Sequence, residues 1–385
     1  MDPNQKLHAA LMSNDVTMVV EAMAEGGRIP ANDEHSILWT HFGGMHPEQA
    51  AAIRCWIEAG GLTRTLNNSE TLHDGTIRSC NVDFARALPG YGFGLPNKRA
   101  NNGILIGALK SERPAEMLKE ALALGIRPDM ETGRRPTGPL GALGTLETIA
   151  VMTPHWTLSQ HDICDILAGA CVAQNHVTWD HYEPLYKGSI NILSAFKPTF
   201  DEMRMNYDGD SQPDPLWLGR LVDTYIGKRS ERNDHFQLSE SADREHRQWT
   251  QSMQMWQAFA ENKPGLGRAW LMSGAREPHV VDDGKGASKN PLTRLTEVAP
   301  PEAVAAYLAA VPDIDLMQLR RTRSAVANRI EKSRMRGGTV NRTLAILDAV
   351  IAKVVLSQSA PAGDTRQSSL FDAPTPSVMP ASLRL

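Results

Sequence analysis

Four residues within a sixteen-residue stretch, His161, Cys164, Cys171 and His176, are of the types that ligate zinc. On a helix, however, Cys164 and Cys171 stand two turns apart, roughly 10 Å by the helical rise, too far to share one ion without a break between them. The chain has four cysteines (Cys55, Cys80, Cys164, Cys171) and no Cys-x2-Cys pair. Buried cysteines on an inner helix are the plainer reading, and neither a metal nor another cofactor is expected. His41 and His46 near Glu48 read as a cluster at a loop tip rather than as acid–base or metal chemistry. There is no Gly-x-Ser-x-Gly elbow, no His-Glu-x-x-His and no carboxylate pair in a recognisable frame. Asp282-Asp283-Gly284-Lys285-Gly286 lacks the Gly-x4-Gly-Lys-Ser/Thr order that cradles phosphates. No enzymatic activity is expected.

Charge and exposed apolar side chains are more informative. Between Arg320 and Arg336 lie seven Lys or Arg residues against the single acid Glu331, a local net of +6. On a helix, Leu319, Val326 and Ile330 form one narrow apolar stripe, while Arg321, Arg329, Lys332 and Arg336 cluster on the opposite side. The ordinary reading is a solvated face; the functional one is contact with nucleic-acid phosphate or an acidic protein. After Ser357 the composition turns to Ser, Pro, Ala, Gly, Thr and Gln, and residues 358–385 read as a disordered tail. Within it stands Arg366-Gln367-Ser368-Ser369-Leu370-Phe371-Asp372. This Gln-x-x-Leu-Phe sequence resembles the peptide by which bacterial polymerases and repair proteins dock on the replicative sliding clamp. The resemblance implies that Leu370 and Phe371 enter an apolar cleft and that Gln367 hydrogen-bonds beside it. It does not extend to the eukaryotic clamp peptide, because Ala373 and Pro374 stand where paired aromatics are needed.

The elements that carry these groups follow from internal repetition. Leu7, Leu38, Leu72, Leu105 and Leu140 anchor a recurring short motif and are separated by 31, 34, 33 and 35 residues. A second series, Gly27-Arg28-Ile29-Pro30, Gly60-Gly61-Leu62, Gly94-Leu95-Pro96 and Gly125-Ile126-Arg127-Pro128, recurs at about 33. Each unit reads as two short helices closed by glycine, and no unit can bury its apolar face alone, so the units must stack. The period and the Leu-His anchors at 7–8 and 72–73 resemble the ankyrin-repeat family over roughly residues 5–200. Glu183-Pro184-Leu185-Tyr186 reads as a late, diverged copy that requires an insertion after Leu140.

The second half is expected to be helical at 215–230, 243–260, 301–311, 315–336 and 340–357, with a long connection at Lys197–Asp214. Trp249, Met253, Trp256 and Phe259 are expected to face a core. On the helix at 340–357, Val340, Leu344, Leu347, Ile351 and Val354 share one side.

The chain has 385 residues, is 41% hydrophobic and 22% charged, and carries a formal net charge of −4; it is not globally basic, which confines any nucleic-acid contact to a local patch. No apolar run is long enough to span a membrane. The opening Met1-Asp2-Pro3-Asn4-Gln5 lacks a signal-peptide pattern, so a reducing cytoplasm is the expected compartment. The expected fold is all-α: an ankyrin-like helical-pair solenoid over 1–200, a helical C-terminal domain over 201–357, and the tail. The expected function is that of a bacterial or mobile-element interaction protein acting in DNA replication. Its tail would dock on the sliding clamp and its solenoid would bind a second, unnamed protein. The alternative is an anti-defence, effector or regulatory inhibitor that binds a host protein through the ankyrin-like surface, with an unrecognised activity in residues 201–357.

Overall fold

A computed structural model describes residues 1–42, 50–96, 98–129, 135–207, 213–232, 240–282, 288–311, 314–332 and 337–359. These residues are helical almost throughout, and the expected all-α class holds. Among them the only strands are two-residue pieces, Val281–Asp282 and Ser288–Lys289, paired antiparallel. The chain divides into two compact units: Met1–Met255 with Arg268–Arg276, and Trp256–Gly267 with Glu277–Leu385. That division falls later than the expected boundary at 200.

The first unit opens with six helix pairs. They are α1 Pro3–Ser13 with α2 Val16–Ala24, α3 Ala31–Phe42 with α4 Ala51–Glu58, and α5 Leu66–Arg78 with α6 Val82–Ala87. Next come α7 Lys98–Leu109 with α8 Pro114–Ala123, α9 Thr137–Leu143 with α10 Leu146–Met152, and α11 Gln160–Ala173 with α12 His176–Tyr182. The first members pack in sequence, α1 on α3, α3 on α5, α5 on α7, α7 on α9 and α9 on α11. All five anchoring leucines, Leu7, Leu38, Leu72, Leu105 and Leu140, are fully buried. The closing glycine in the left-handed region is Gly26, Gly60, Gly92 and Gly125, a register slightly different from the one expected. There the next amide reaches back to close the helix, as Gly61 N does to Trp56 O at 3.0 Å and Ile126 N to Ala121 O at 3.0 Å.

A third series, not apparent from residue type, ties three of the pairs to the loop that follows them. Asn4 Oδ1 accepts the Arg28 amide at 2.7 Å, and Glu34 accepts the Thr63 amide at 3.2 Å and its hydroxyl at 2.8 Å. Asn102 accepts the Asp129 amide at 2.8 Å and donates Nδ2 to the Asp129 carbonyl at 2.7 Å. Loop backbone that would otherwise lack partners is satisfied this way at these three positions.

The α9–α11 contact is close because it is built on glycine. A Cβ on Gly141 would collide with the Ile166 carbonyl, and one on Gly169 with the Gly138 carbonyl. Beyond α12, the sequence Glu183–Leu185 forms a 3-10 turn, not the start of another repeat, and Leu185 is exposed. The helix that follows α9 in the stack is α11, so no insertion after Leu140 is needed. The expected connection at Lys197–Asp214 is also corrected: α13, Ile192–Tyr207, runs through much of it with Pro198 inside the helix. Proline there costs about 3 kcal/mol. Burial of Ile192, Leu193, Phe196 and Phe200 on one side offsets it, at about 1.5–3 kcal/mol each. Phe196 stacks on Phe200 at 5.8 Å and meets Trp270 edge-on at 6.0 Å. Helix α14, Pro215–Arg232, packs on α11 and α13.

Helix α15, Glu240–Ala260, buries Phe259 as expected, with Met253 and Trp256 half-buried, but its buried face is turned away from Trp249. Trp249 is 55% exposed, whereas Gln251, Ser252, Met255, Ala258 and Phe259 are buried. The buried polar residues are held by the loop after α16, Pro264–Met272: Gln251 Nε2 donates to Ser273 O at 2.8 Å, and Arg276 N donates to Ser252 Oγ at 3.0 Å. In the second unit, α17 Pro291–Val298, α18 Pro301–Ala310, α19 Leu316–Lys332 and α20 Gly337–Ser359 pack around Leu292, Leu295, Val304, Tyr307, Leu319, Val326 and Leu347. Phe259 meets the Tyr307 ring edge-on at 5.3 Å. The half-buried Glu277 accepts from Gln318 Nε2 at 2.8 Å and from the Tyr307 hydroxyl at 3.2 Å. Of the apolar side of α20, only Leu347 is fully buried. Among the described residues no helix is long and apolar enough to cross a membrane.

Candidate functional site

Stacking of α3, α5 and α7 brings together side chains that lie 30 to 40 residues apart and lines a cavity of about 490 Å³. Helix α5 contributes Glu70, Thr71, Asp74 and Arg78, which one helical face collects at intervals of four. Its neighbours α3 and α7 contribute His35 and Trp39 on one side and Gly103 and Lys110 on the other. Trp39 is 56% exposed and stacks on His35 at 6.5 Å between ring centroids. The Thr71 hydroxyl donates to Asn67 O at 3.0 Å, so its 3.0 Å contact with His35 Nδ1 requires the imidazole to donate. That bond fixes the tautomer and the tilt of the aromatic platform.

Asp74 lies deeper. Its Oδ2 accepts from Arg78 Nη2 at 2.8 Å, whereas its Oδ1 is buried without a hydrogen-bond partner, as is Glu70 Oε1. Burial pushes the Asp74 carboxyl up, with the Arg78 charge opposing it. Gly107 faces Asp74, and a Cβ there would stand 2.6 Å from Oδ1, so a larger residue would require the carboxyl to shift. Next to it His73 of the Leu-His anchor is fully buried, with Nδ1 2.8 Å from the Ser69 carbonyl, and burial lowers its proton affinity. His73 is therefore a neutral packing residue. The arrangement offers an exposed aromatic ring, two buried carboxyl edges and flanking cations, which suits recognition of another surface.

The residues singled out from the sequence are placed as follows. Gln367, Leu370 and Phe371 lie outside the described residues, as do Arg334, Arg336, His46 and Glu48 and the glycines of 283–287; the Lys332 side chain is likewise not described. On α19, Arg329 is engaged within its own unit. It pairs with Glu297 Oε1 at 3.1 Å and donates to the Thr296 carbonyl at 3.2 Å, closing the C-terminal end of α17. Arg323 pairs with Asp348 on α20. Arg320 and Arg321 are exposed and form no ion pair among the described residues. Cys164 and Cys171 are free and buried in α11, and burial pushes the Cys164 thiol up to about 12. His161 is exposed at the start of α11, while His176 packs on Trp217 at 4.7 Å. Among the described residues no three His, Cys, Asp or Glu side chains converge as metal ligands.

The groove was not apparent from spacing alone. Trp39 stands next to the anchoring Leu38, and neither it nor Glu70, Asp74 and Arg78 belongs to a recognisable motif. The usable signal was their i, i+4, i+8 spacing on one helix face. No protein-family model matches the chain, and no curated protein matches it.

Proposed function

We propose that this protein is a non-enzymatic interaction module: an ankyrin-like helical-pair solenoid that binds a protein partner, tethered by its tail to the bacterial sliding clamp. The observation that carries the partner-binding half is Trp39, a large aromatic left more than half exposed in a groove whose carboxyl edges lack partners. The tether rests on Gln367, Leu370 and Phe371, whose pattern matches the clamp peptide. In this reading the protein works in the cytoplasm during DNA replication. Arg321, with Lys332 and Arg336, adds contact with nucleic acid or an acidic partner. Arg329 contributes less, because its guanidinium is already engaged by Glu297 and the Thr296 carbonyl.

The test is calorimetry of the full chain against a bacterial sliding clamp. Leu370→Ala with Phe371→Ala should abolish the heat, and Trp39→Ala should leave it unchanged. Equal heats from all three proteins, or none from the wild type, would refute the tether. A second reading, an inhibitor of a host protein with an incidental tail, is favoured by the same exposed Trp39; it predicts that removing residues 360–385 leaves biological activity intact.

A further inference from the structure

A second concave surface lies on the other row of helices and goes beyond the function proposed above. Leu122 and Ala123 at the end of α8, with Ala150 and Val151 on α10, floor a cavity of about 800 Å³. Its rim is polar and unevenly charged: Lys119, Arg127 and His155 face it, against the single carboxylate Glu147. All four rim side chains are exposed. Lys119, His155 and Glu147 form no hydrogen bond or ion pair among the described residues. Arg127 is different, because its Nη1 donates to the Leu122 carbonyl and, at 3.1 Å, to that of Ile126. The guanidinium thereby satisfies the end of α8 and is held in place as a fixed positive charge at the mouth of the groove.

We infer that this groove binds a short acidic segment of a partner protein, one that sets an aliphatic side chain on the floor and its carboxylates against Lys119, Arg127 and His155. Charge complementarity selects the sign of the occupant, since the rim carries two permanent cations and a histidine for one acid. The floor selects its class. It is aliphatic and presents no aromatic ring, so it gives nucleic-acid bases nothing to stack on, whereas a Leu or Val side chain fills it. A cavity of this volume is far larger than one phosphate ion and falls in the range that accommodates a few residues of peptide. The fixed Arg127 lowers the ordering cost of the complex, because that charge does not have to be positioned on binding.

The experiment uses the full chain with methyl-labelled alanine and valine, so that Ala123, Ala150 and Val151 report from the groove itself. Three probe peptides are titrated to millimolar concentration: acetyl-Glu-Leu-Glu-Leu-Glu-amide, its Gln-for-Glu counterpart and its Lys-for-Glu counterpart. The acidic peptide should move these three methyls and the others should not. Lys119→Glu should weaken the acidic peptide about tenfold, which is about 1.4 kcal/mol, and should admit the lysine peptide. Because Lys119 is exposed, the variant should fold as the wild type does, and Ala150→Glu serves as a second variant that fills the floor with an acid and should also abolish the shifts. Equal shifts from all three peptides, or no shift from the acidic one, would overturn the inference. So would movement of these methyls by an oligothymidine when the acidic peptide leaves them unmoved.

Discussion

Leu105 shows at one residue what stacking means energetically. It anchors α7 between α5 and α9 and is fully buried. Leu105→Ala should cost about 2–5 kcal/mol, the sum of lost transfer energy and an unfilled cavity. Urea denaturation checks this, and an unchanged midpoint would place the anchor elsewhere. Asp165 on α11 carries a pH dependence whose sign can be worked out. Burial raises its carboxyl from 3.8 to about 6; the Thr137 hydroxyl at 3.3 Å, Arg135 and His161 pull it down, and Asp162 pushes it up. A carboxyl held above its unfolded value resists ionisation in the native state. Its favourable contribution is therefore complete below pH 3.8 and is lost as the pH rises through about 6. Asp165→Asn keeps the shape and an acceptor for Thr137 but cannot ionise. Relative to wild type it should gain about 1–2 kcal/mol between pH 4 and pH 7, the partial exposure of the group having been allowed for. Parallel stability curves for the two proteins would show that Asp165 ionises freely.

Helices reveal their constraints through what they cannot accept. On α11, Gly169 lies against the Gly138 carbonyl, a backbone atom that cannot rotate away. Gly169→Ala should destabilise by about 3 kcal/mol or more, at the upper end of overpacking costs. Gly103 on α7 is the control: a Cβ there meets nothing within 4 Å, so Gly103→Ala should be neutral or should stabilise by about 0.5–1 kcal/mol. Thermal melts of the two variants separate these outcomes, and equal effects would mean that α9 and α11 are not in close contact. The same contrast explains which elements the sequence made legible. Leu7 to Leu140 could be read because one residue type recurs at one period. The Asn4, Glu34 and Asn102 series escaped because chemically different side chains perform the same bond to the following loop. Over Lys197–Asp214 the polar, Pro- and Gly-containing composition points to a connection, and tertiary burial of Phe196 and Phe200 overrides it in α13, even with Pro198 inside the helix. On α15, Trp249 looked like core by hydrophobicity, but Gln251 and Ser252 take the buried face by bonding the 273–276 loop. The groove of Trp39, Glu70 and Asp74 needed the stacking register of three helices, which no single helix encodes.

If the tail docks as proposed, a folded body and a short peptide share one act of binding. In Gly363–Pro376 the apolar area comes almost wholly from Leu370 and Phe371, each contributing about 1.5–3 kcal/mol when buried, before the cost of ordering the segment. A peptide of that sequence should therefore bind a bacterial sliding clamp no more tightly than about micromolar. Gln367 alone supplies a net hydrogen bond of about 0.5–1.5 kcal/mol, too little to hold the peptide. Leu370→Ala with Phe371→Ala should consequently remove the heat of binding altogether and leave the melting temperature of the full chain unchanged. The comparison of peptide with full chain then tells whether the body takes part. A second contact, through Arg321 or another exposed surface, becomes intramolecular once the peptide is bound, and a flexible linker raises its effective concentration to about millimolar. The full chain should in that case bind 10²-fold or more tighter than the peptide, on the order of 3 kcal/mol, and the difference should shrink as salt rises. Equal affinities at low salt would leave the tail as a simple tether, and the Trp39 groove would then be free to hold a different protein while the clamp is engaged.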